Sequence, residues 1–381
     1  MKKILFLSYT NVFGGAESVL CDYLKENNVN ENYIYTTDAN YIIKEYEKYL
    51  EKDKIYISEK MNIVSIRKHP FVAIKNLLYN LYKINVIVRK NNIDILYGNN
   101  TLDIVLLVLY KKYLNKNIKV VSHIHDIIEK KDYKSKFVEK YNQYVNKFIV
   151  PSMATKKALL SCNIEEKKIE VVYNGIFIDN KKKEINKMDY LKLKDKYGID
   201  KGKIVFCFIG HICKRKRLDL FVDVIKQLNK SENKYIGIII GKIIEEDYYN
   251  SIKNKMDSSI VYLGEMERKN ILEEIYSIVD ILMLTSDKDP LPTVILEAMS
   301  KNVLVVARDV DGVREIVDNE KTGMIFSYNS SIIEITNVIK KLLSMNEQEK
   351  LNMKNKAQNK IKEKFNPILK QKIINNILKM I

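Results

Sequence analysis

"KIVFCFIGHICKRKRLDLFVDVIKQLN", residues 203–229, decides the fold. A short apolar run, Ile204 to Ile209, reads as a strand and stops at Gly210. Four consecutive cations follow, Lys214 to Arg217, and then an amphipathic helix begins. The same alternation continues downstream: strands "YIGIIIG" and "IVYLG", helix "RKNILEEIYSIV", strand "DILMLTS", helix "PTVILEAMS", strand "VLVVA". Upstream it appears again, from strand "KKILFLSY" through helix "AESVLCDYL", strand "NIDILYGN", helix "TLDIVLLVLYKKYL" and strands "KVVSHIHD", "KFIVPS" and "IEVVYNGI". Strands alternating with helices imply α/β architecture with parallel sheets covered on both faces. The charged stretch 179–200, with no strand pattern, separates the two series as a linker ending in a short helix. The expectation is two doubly wound, Rossmann-like domains, 1–178 and 190–364, facing each other across a cleft. Residues 365–381 form a final helix returning to the first domain through Ile368, Ile373, Ile374, Ile377, Leu378 and Ile381. Ligands of such sheets bind beyond the carboxyl ends of the strands.

The totals agree with this reading. A chain of 381 residues suits two cores, and 46% hydrophobic content can fill them. With 12 Gly and 5 Pro it is neither disordered nor linker-like. The four cysteines (21, 162, 207 and 213) lack metal-ligand spacing and read as free thiols of a reducing cytoplasm. "MKKILFLSY" is too short an apolar run for a signal peptide, and "IVLLVLY" (104–110) is too short to span a bilayer. The expected location is cytoplasmic, with a peripheral place on the inner face of the plasma membrane. A net charge of +17 favours an anionic partner without choosing among nucleic acid, phospholipid and phosphorylated small molecules.

Three constellations could carry chemistry. Gly14-Gly15 stands at a strand-to-helix junction, where backbone can approach a phosphate; an ordinary tight turn explains it equally. The loop "GHICKRKR" (210–217) follows a strand and precedes a helix, so pyrophosphate there would meet both charge and helix amides. A solvated basic loop is the competing reading. "SDKDPLPTVILEAMS" brings Asp289 to the end of a strand, stiffened by Pro290 and Pro292, with Pro292 or Thr293 opening a helix that carries Glu297. Two carboxylates so placed could accept hydroxyls of one polar ligand; a loop cap and a surface glutamate are the alternative. "DKD" (287–289) has no further acid to complete a cation shell. "HIHD" puts His123 and His125 on one face of a strand without a third ligand, so no metal is expected there. At least one of the two histidines is expected to be structural.

Together and in this order, these motifs resemble the retaining glycosyltransferases of family 4, which have the two-domain GT-B fold. The likeness runs through "NVFGGAE", "HIHD", "FIVPSMATKKAL", "KIEVVYNGI", "FIGHICKRKRLDLF", "IVYLGEM", "DPLPTVILEAMSKNVLVVARDVDGVREIV" and "KTGMIF", roughly residues 3–327. It implies that Asp289 contacts the donor sugar and Glu297 the nucleotide ribose. Lys216, beside Arg215, would grip the donor pyrophosphate after Gly210. His125 would lie near the reacting sugar, and Gly14 and Gly15 in the loop over the phosphates and acceptor. Leu291, Pro292 and Thr293 would line the donor site, and Glu315 matches the acid of a Gly-Gly-x-x-Glu segment, here "DGVRE". Four positions depart from the pattern. Asp289 replaces the commoner Glu. Pro290 replaces Gly and cannot donate a hydrogen bond, which leaves the Leu291 N–H. His211 stands where many members have arginine, and Arg217 where many have glycine.

The resemblance implies a hexosyl or N-acetylhexosaminyl transferase in bacterial surface polysaccharide synthesis. Its donor would be a nucleotide diphosphate sugar, UDP-linked before GDP-linked, its acceptor a glycan or lipid-linked sugar, and it would need no metal or other cofactor. Residues 61–92 hold six Lys/Arg, no Asp or Glu, and the aromatics Phe71, Tyr79 and Tyr82, which suits an anionic membrane surface. An ordinary core-facing helix is the alternative. The rival readings are a GT-B epimerase or phosphorylase, and a basic nucleic-acid-binding protein. The second predicts aromatics on an exposed sheet, whereas here the strands are apolar, so no nucleic acid is expected.

Overall fold

A computed structural model of the protein describes residues 1–10, 13–26, 29–61, 69–130, 132–176, 186–230 and 232–381. It divides into two compact units. One comprises Met1–Asn174 with Pro367–Ile381, the other Gly175–Asn366. The 179–200 stretch before Asn186 lies outside the described residues, and so do Asn11, Val12 and residues 62–68.

In the first unit the described strands form a seven-stranded parallel sheet of order β3-β2-β1-β4-β5-β6-β7. These are β1 (Lys3–Ser8), β2 (Glu31–Thr37), β3 (Ile55–Ser58), β4 (Ile95–Gly98), β5 (Lys119–His123), β6 (Lys147–Val150) and β7 (Ile169–Val171). The second unit has six strands among the described residues, all parallel, in the order β10-β9-β8-β11-β12-β13. These are β8 (Ile204–Ile209), β9 (Tyr235–Ile240), β10 (Ile260–Tyr262), β11 (Ile281–Leu284), β12 (Leu304–Arg308) and β13 (Met324–Phe326). Strands β2, β3 and β13 were not singled out by the alternation of runs. β2, "ENYIYTT", mixes apolar with polar residues, and its polar Thr36 and Thr37 are buried through hydrogen bonds to Ser8 O and Thr10 O.

The opening stretch behaves as its pattern requires. Val205 to Phe208 are buried. The helix Leu218–Asn229 buries Leu218, Phe221, Val222, Ile225 and Leu228, the i, i+3, i+4, i+7 stripe of a helix lying on a sheet. Ser152 caps the helix Met153–Ser161 by accepting the Thr155 N–H.

The helix Pro367–Met380 packs on the first sheet through Ile374, Ile377 and Leu378, in one cluster with Ile4, Phe6, Leu20 and Tyr23. Each such buried side chain contributes about 1.5–3 kcal/mol. Ile368, counted by spacing in the apolar stripe, is instead exposed; only one face of a surface helix is covered.

Among the described strands each sheet has one point where strand order reverses. In the first it lies between β1 and β4, in the second between β8 and β11. Connections leave these neighbouring strands toward opposite sides, which opens a crevice at their carboxyl ends.

Candidate active site

The second unit's crevice is flanked by the loop after β8 and the loop after β11. The first carries Lys216 and the second carries Asp289, 73 residues later in sequence. The two meet: Lys216 Nζ lies 2.6 Å from Asp289 Oδ2, with side chains only 17% and 10% exposed. The aliphatic stem of Lys216 passes over Gly210, whose φ of 154° only glycine adopts readily. Lys216 closes a single 3-10 turn, Lys214–Lys216, after which Arg217 takes a left-handed conformation, φ 53°. Glycine adopts such backbone without a side-chain clash. Arg217 bears a cost of roughly 1–2 kcal/mol, set against a bidentate pair with Asp219 at 2.9–3.1 Å.

Arg215 does not simply face solvent. Its Nη1 donates to Lys288 O at 2.7 Å, while its own carbonyl accepts the Asp287 N–H at 2.8 Å. Asp287 in turn accepts from the buried Arg308, which also donates to Tyr328 O at 2.6 and 3.0 Å. The backbone N–H of Asp289 donates to Asp311 Oδ2 at 2.7 Å. His211, at the mouth of the same loop, is held below the usual imidazole range by burial first and the Lys216 ammonium second.

After Asp289 the chain runs through Pro290, the buried Leu291 and Pro292 into the helix Thr293–Ser300. Glu297 is therefore in the second turn and is buried, not a surface glutamate. Its Oε1 accepts from Arg268 Nε at 2.8 Å, and its Oε2 lies 3.4 Å from the hydroxyl of buried Tyr276. Glu315 lies in the short helix Val313–Ile316 just after Gly312.

The first unit collects a separate group at the carboxyl ends of β1, β4 and β5. Gly14 and Gly15 begin the helix Gly15–Glu26, and the Gly14 N–H donates to Glu17 Oε2 at 2.9 Å. Among the described residues no atom lies within 4 Å of where a Gly15 side chain would begin. Burial pushes the Glu17 carboxyl up. Asp103, fully buried, accepts three backbone N–H groups, from Tyr9, Asn99 and Asn100, and so ties the ends of β1 and β4 together.

β5 ends at His123, three residues short of the predicted strand, which ran to Asp126. The ring centroids of His123 and His125 nonetheless lie 3.9 Å apart, their planes tilted by 34°. His123 is the structural member: it is 2% exposed and its Nδ1 pairs with the Tyr97 hydroxyl at 2.9 Å. The buried Nε2 atoms of His125 and of His123 both have no hydrogen-bond partner among the described residues. Burial first, and the Lys370 ammonium second, push His125 down to about 3. Among the described residues no three His, Cys, Asp or Glu side chains cluster as a metal site.

The structure brings the predicted Lys216 and Asp289 together and buries Glu297 on the next helix. The sequence reading did not name Arg268, which pairs with Glu297, Asp311, which takes the Asp289 N–H, Arg308, which pairs with Asp287, or Asp103 in the first unit. Asp103 had a signal, an acid at the start of a helix just after "GNN". The others are paired only by the fold.

Two family descriptions match the chain: Glycosyl transferases group 1 over residues 189–360 and Glycosyltransferase Family 4 over residues 30–180. An uncharacterized 41.2 kDa protein in the cps region of Klebsiella pneumoniae is 25% identical over 336 residues, 85% of this chain and 86% of that one. The UDP-Gal:alpha-D-GlcNAc-diphosphoundecaprenol alpha-1,3-galactosyltransferase of Escherichia coli is 25% identical over 210 residues, 53% of this chain and 52% of that one. Among solved structures, Anabaena HepE in complex with UDP and glucose superimposes with a TM-score of 0.85 at 19% identity, covering 100% of both chains. That likeness identifies the fold as GT-B. The chain belongs to the group 1, family 4 glycosyltransferases.

Proposed function

We propose that the protein transfers a hexosyl or N-acetylhexosaminyl group, with retention, from a UDP-sugar to a glycan or lipid-linked acceptor in surface polysaccharide synthesis. The observation that carries this reading is the Lys216–Asp289 pair at the second sheet's switch point, with Glu297 on the following helix. Lys216 and Arg215 take the donor diphosphate, Asp289 accepts sugar hydroxyls, and Glu297 accepts the ribose hydroxyls. The Leu291 N–H is the first amide after Asp289 able to donate to the sugar, because Pro290 has none. HepE binds UDP and glucose and the Escherichia coli relative is named for UDP-Gal and a diphosphoundecaprenol acceptor, which favours this donor and acceptor class.

The C1–O bond to the diphosphate breaks as the acceptor oxygen bonds to C1 on the same face. The acceptor proton passes to the leaving phosphate oxygen. Negative charge grows on the diphosphate along this path, so Lys216 stabilises the transition state more than the ground state. His125, kept neutral, offers a hydrogen bond without a competing positive charge. No metal or other cofactor has a role in this scheme.

The helix Pro70–Asn91 supports a membrane-facing acceptor side. Leu81, Ile84, Ile87 and Val88 are buried, while Phe71, Ile74, Leu78, Tyr82 and Val86 form an exposed stripe with Lys75 and Arg89. Apolar residues beside cations suit an anionic lipid surface. Among the described residues no helix is long and apolar enough to cross a membrane.

The test is a mass-spectrometric screen of nucleotide sugars for hydrolysis and transfer, on wild type and Lys216→Ala. UDP-sugar turnover that falls by about a hundredfold or more in the variant, with unchanged circular dichroism, is expected. Turnover in Lys216→Ala equal to wild type removes the lysine from the mechanism.

A further inference from the structure

The loop Asp287–Asp289 is tied down by side chains that stand on left-handed backbone. Arg217 has φ 53° and Asp311 φ 35°. Both positions correspond to glycine in the motifs this sequence resembles: the residue after the pyrophosphate lysine, and the first residue of Gly-Gly-x-x-Glu. Glycine adopts such backbone without a side-chain clash, whereas arginine and aspartate keep it only where their surroundings compensate. Here both side chains reach the same loop. Arg217 Nη1 lies 3.4 Å from Asp287 Oδ1, and Asp311 Oδ2 takes the Asp289 N–H at 2.7 Å. Gly312, next to Asp311, adds a 3.4 Å bond from its N–H to Asp289 O. Arg215 holds the residue between them through Lys288 O at 2.7 Å. Every residue of the loop thus has a tether, and Lys216 meets an acid whose own backbone is fixed.

We propose that Arg217 and Asp311 are positioning residues that hold the Asp287–Asp289 loop, so that the Asp289 carboxylate stands ready against Lys216 before a donor arrives. The proposal rests on the donor-site reading of this crevice. Its physical basis is preorganisation: a reacting group already in place loses no free energy to ordering at the moment of reaction. It also explains why two positions suited to glycine carry charged side chains.

The experiment uses Arg217→Gly, Asp311→Gly, the double variant and Asp311→Asn in the full chain. Hydrogen-exchange mass spectrometry follows a peptide spanning residues 286–292. Donor kcat and KM are measured with the nucleotide sugar that wild type turns over. The Asp289 amide should exchange slowly in wild type and in Asp311→Asn, whose amide oxygen still accepts, and rapidly in Asp311→Gly. Each glycine variant should lose about tenfold in kcat with a smaller change in donor KM. Asp311→Asn should recover most of the loss.

Thermal midpoints should stay level or rise in the glycine variants, because glycine relieves the left-handed backbone. Unchanged exchange in Asp311→Gly overturns the proposal. Faster exchange with wild-type kcat overturns it as well, since the tether would then position nothing. If wild type and every variant turn over no nucleotide sugar, the donor-site reading itself fails and takes the positioning role with it. If wild type is active, Lys216→Ala is not, and the glycine variants match wild type, only this inference fails.

Discussion

Replacing His125 with glutamine should make the protein more tolerant of acid. The folded chain holds the His125 imidazole at about 3, through burial and the Lys370 ammonium. An unfolded histidine titrates near 6.5. Because the folded value is the lower one, the unfolded chain binds the extra proton below pH 6.5. Stability from this residue is therefore complete above that value and drains as pH falls toward 3. At pH 5 the gap is about 1.5 units, or about 2 kcal/mol at 1.36 kcal/mol per unit. Glutamine carries no proton, so Asp103, Glu17 and His123, which titrate in both proteins, largely cancel in the comparison. Urea unfolding followed by far-UV circular dichroism at several pH values is the assay. Where two transitions resolve, the relevant one is that of the unit containing the histidines. The difference in unfolding free energy between His125→Gln and wild type should move by about 2 kcal/mol in the variant's favour between pH 7.5 and pH 5. A flat difference would return His125 to an ordinary pKa and remove the neutral hydrogen-bonding role assigned to it.

Glu297→Gln weakens the Arg268 pair at 2.8 Å and the proposed ribose contact. Donor KM should rise about tenfold or more, in line with roughly 1.5–3 kcal/mol for a hydrogen bond to a charged group; steady-state kinetics with an unchanged KM would take Glu297 out of donor binding. Ile377→Ala opens a gap beneath the C-terminal helix and should cost about 2–5 kcal/mol in urea unfolding, whereas a cost below 1 kcal/mol would mean that the helix adds little to the first unit. Phe71→Glu with Leu78→Glu, at side chains 86% and 61% exposed, should lower recovery in liposome flotation on anionic vesicles while leaving recovery on neutral ones low. Equal flotation of wild type on anionic and neutral vesicles would count against the membrane reading.

The sequence alone determined the periodicities, and through them the two series of parallel strands and the loops at their ends. Runs such as Ile204–Ile209 and Ile281–Leu284 are apolar throughout because both sheet faces are buried, so their composition announces them. β2 escaped notice because its Thr36 and Thr37 satisfy their polar atoms internally, a property of the finished sheet. Lys216, Asp289 and Glu297 could be named from the sequence because the first two follow strands and the third lies on the next helix, in a recognisable order. Their partners were not. Arg268 lies 29 residues from Glu297 and Asp311 lies 22 from Asp289. Hydrogen bonds between distant residues leave no spacing rule in the chain, because their geometry exists only once the strands are aligned. Only the tertiary structure decided which histidine is structural, which glycine-like positions are truly left-handed, and that the lysine meets the acid at 2.6 Å. Local sequence sets backbone preference and burial; contact between groups far apart in the chain is set by packing.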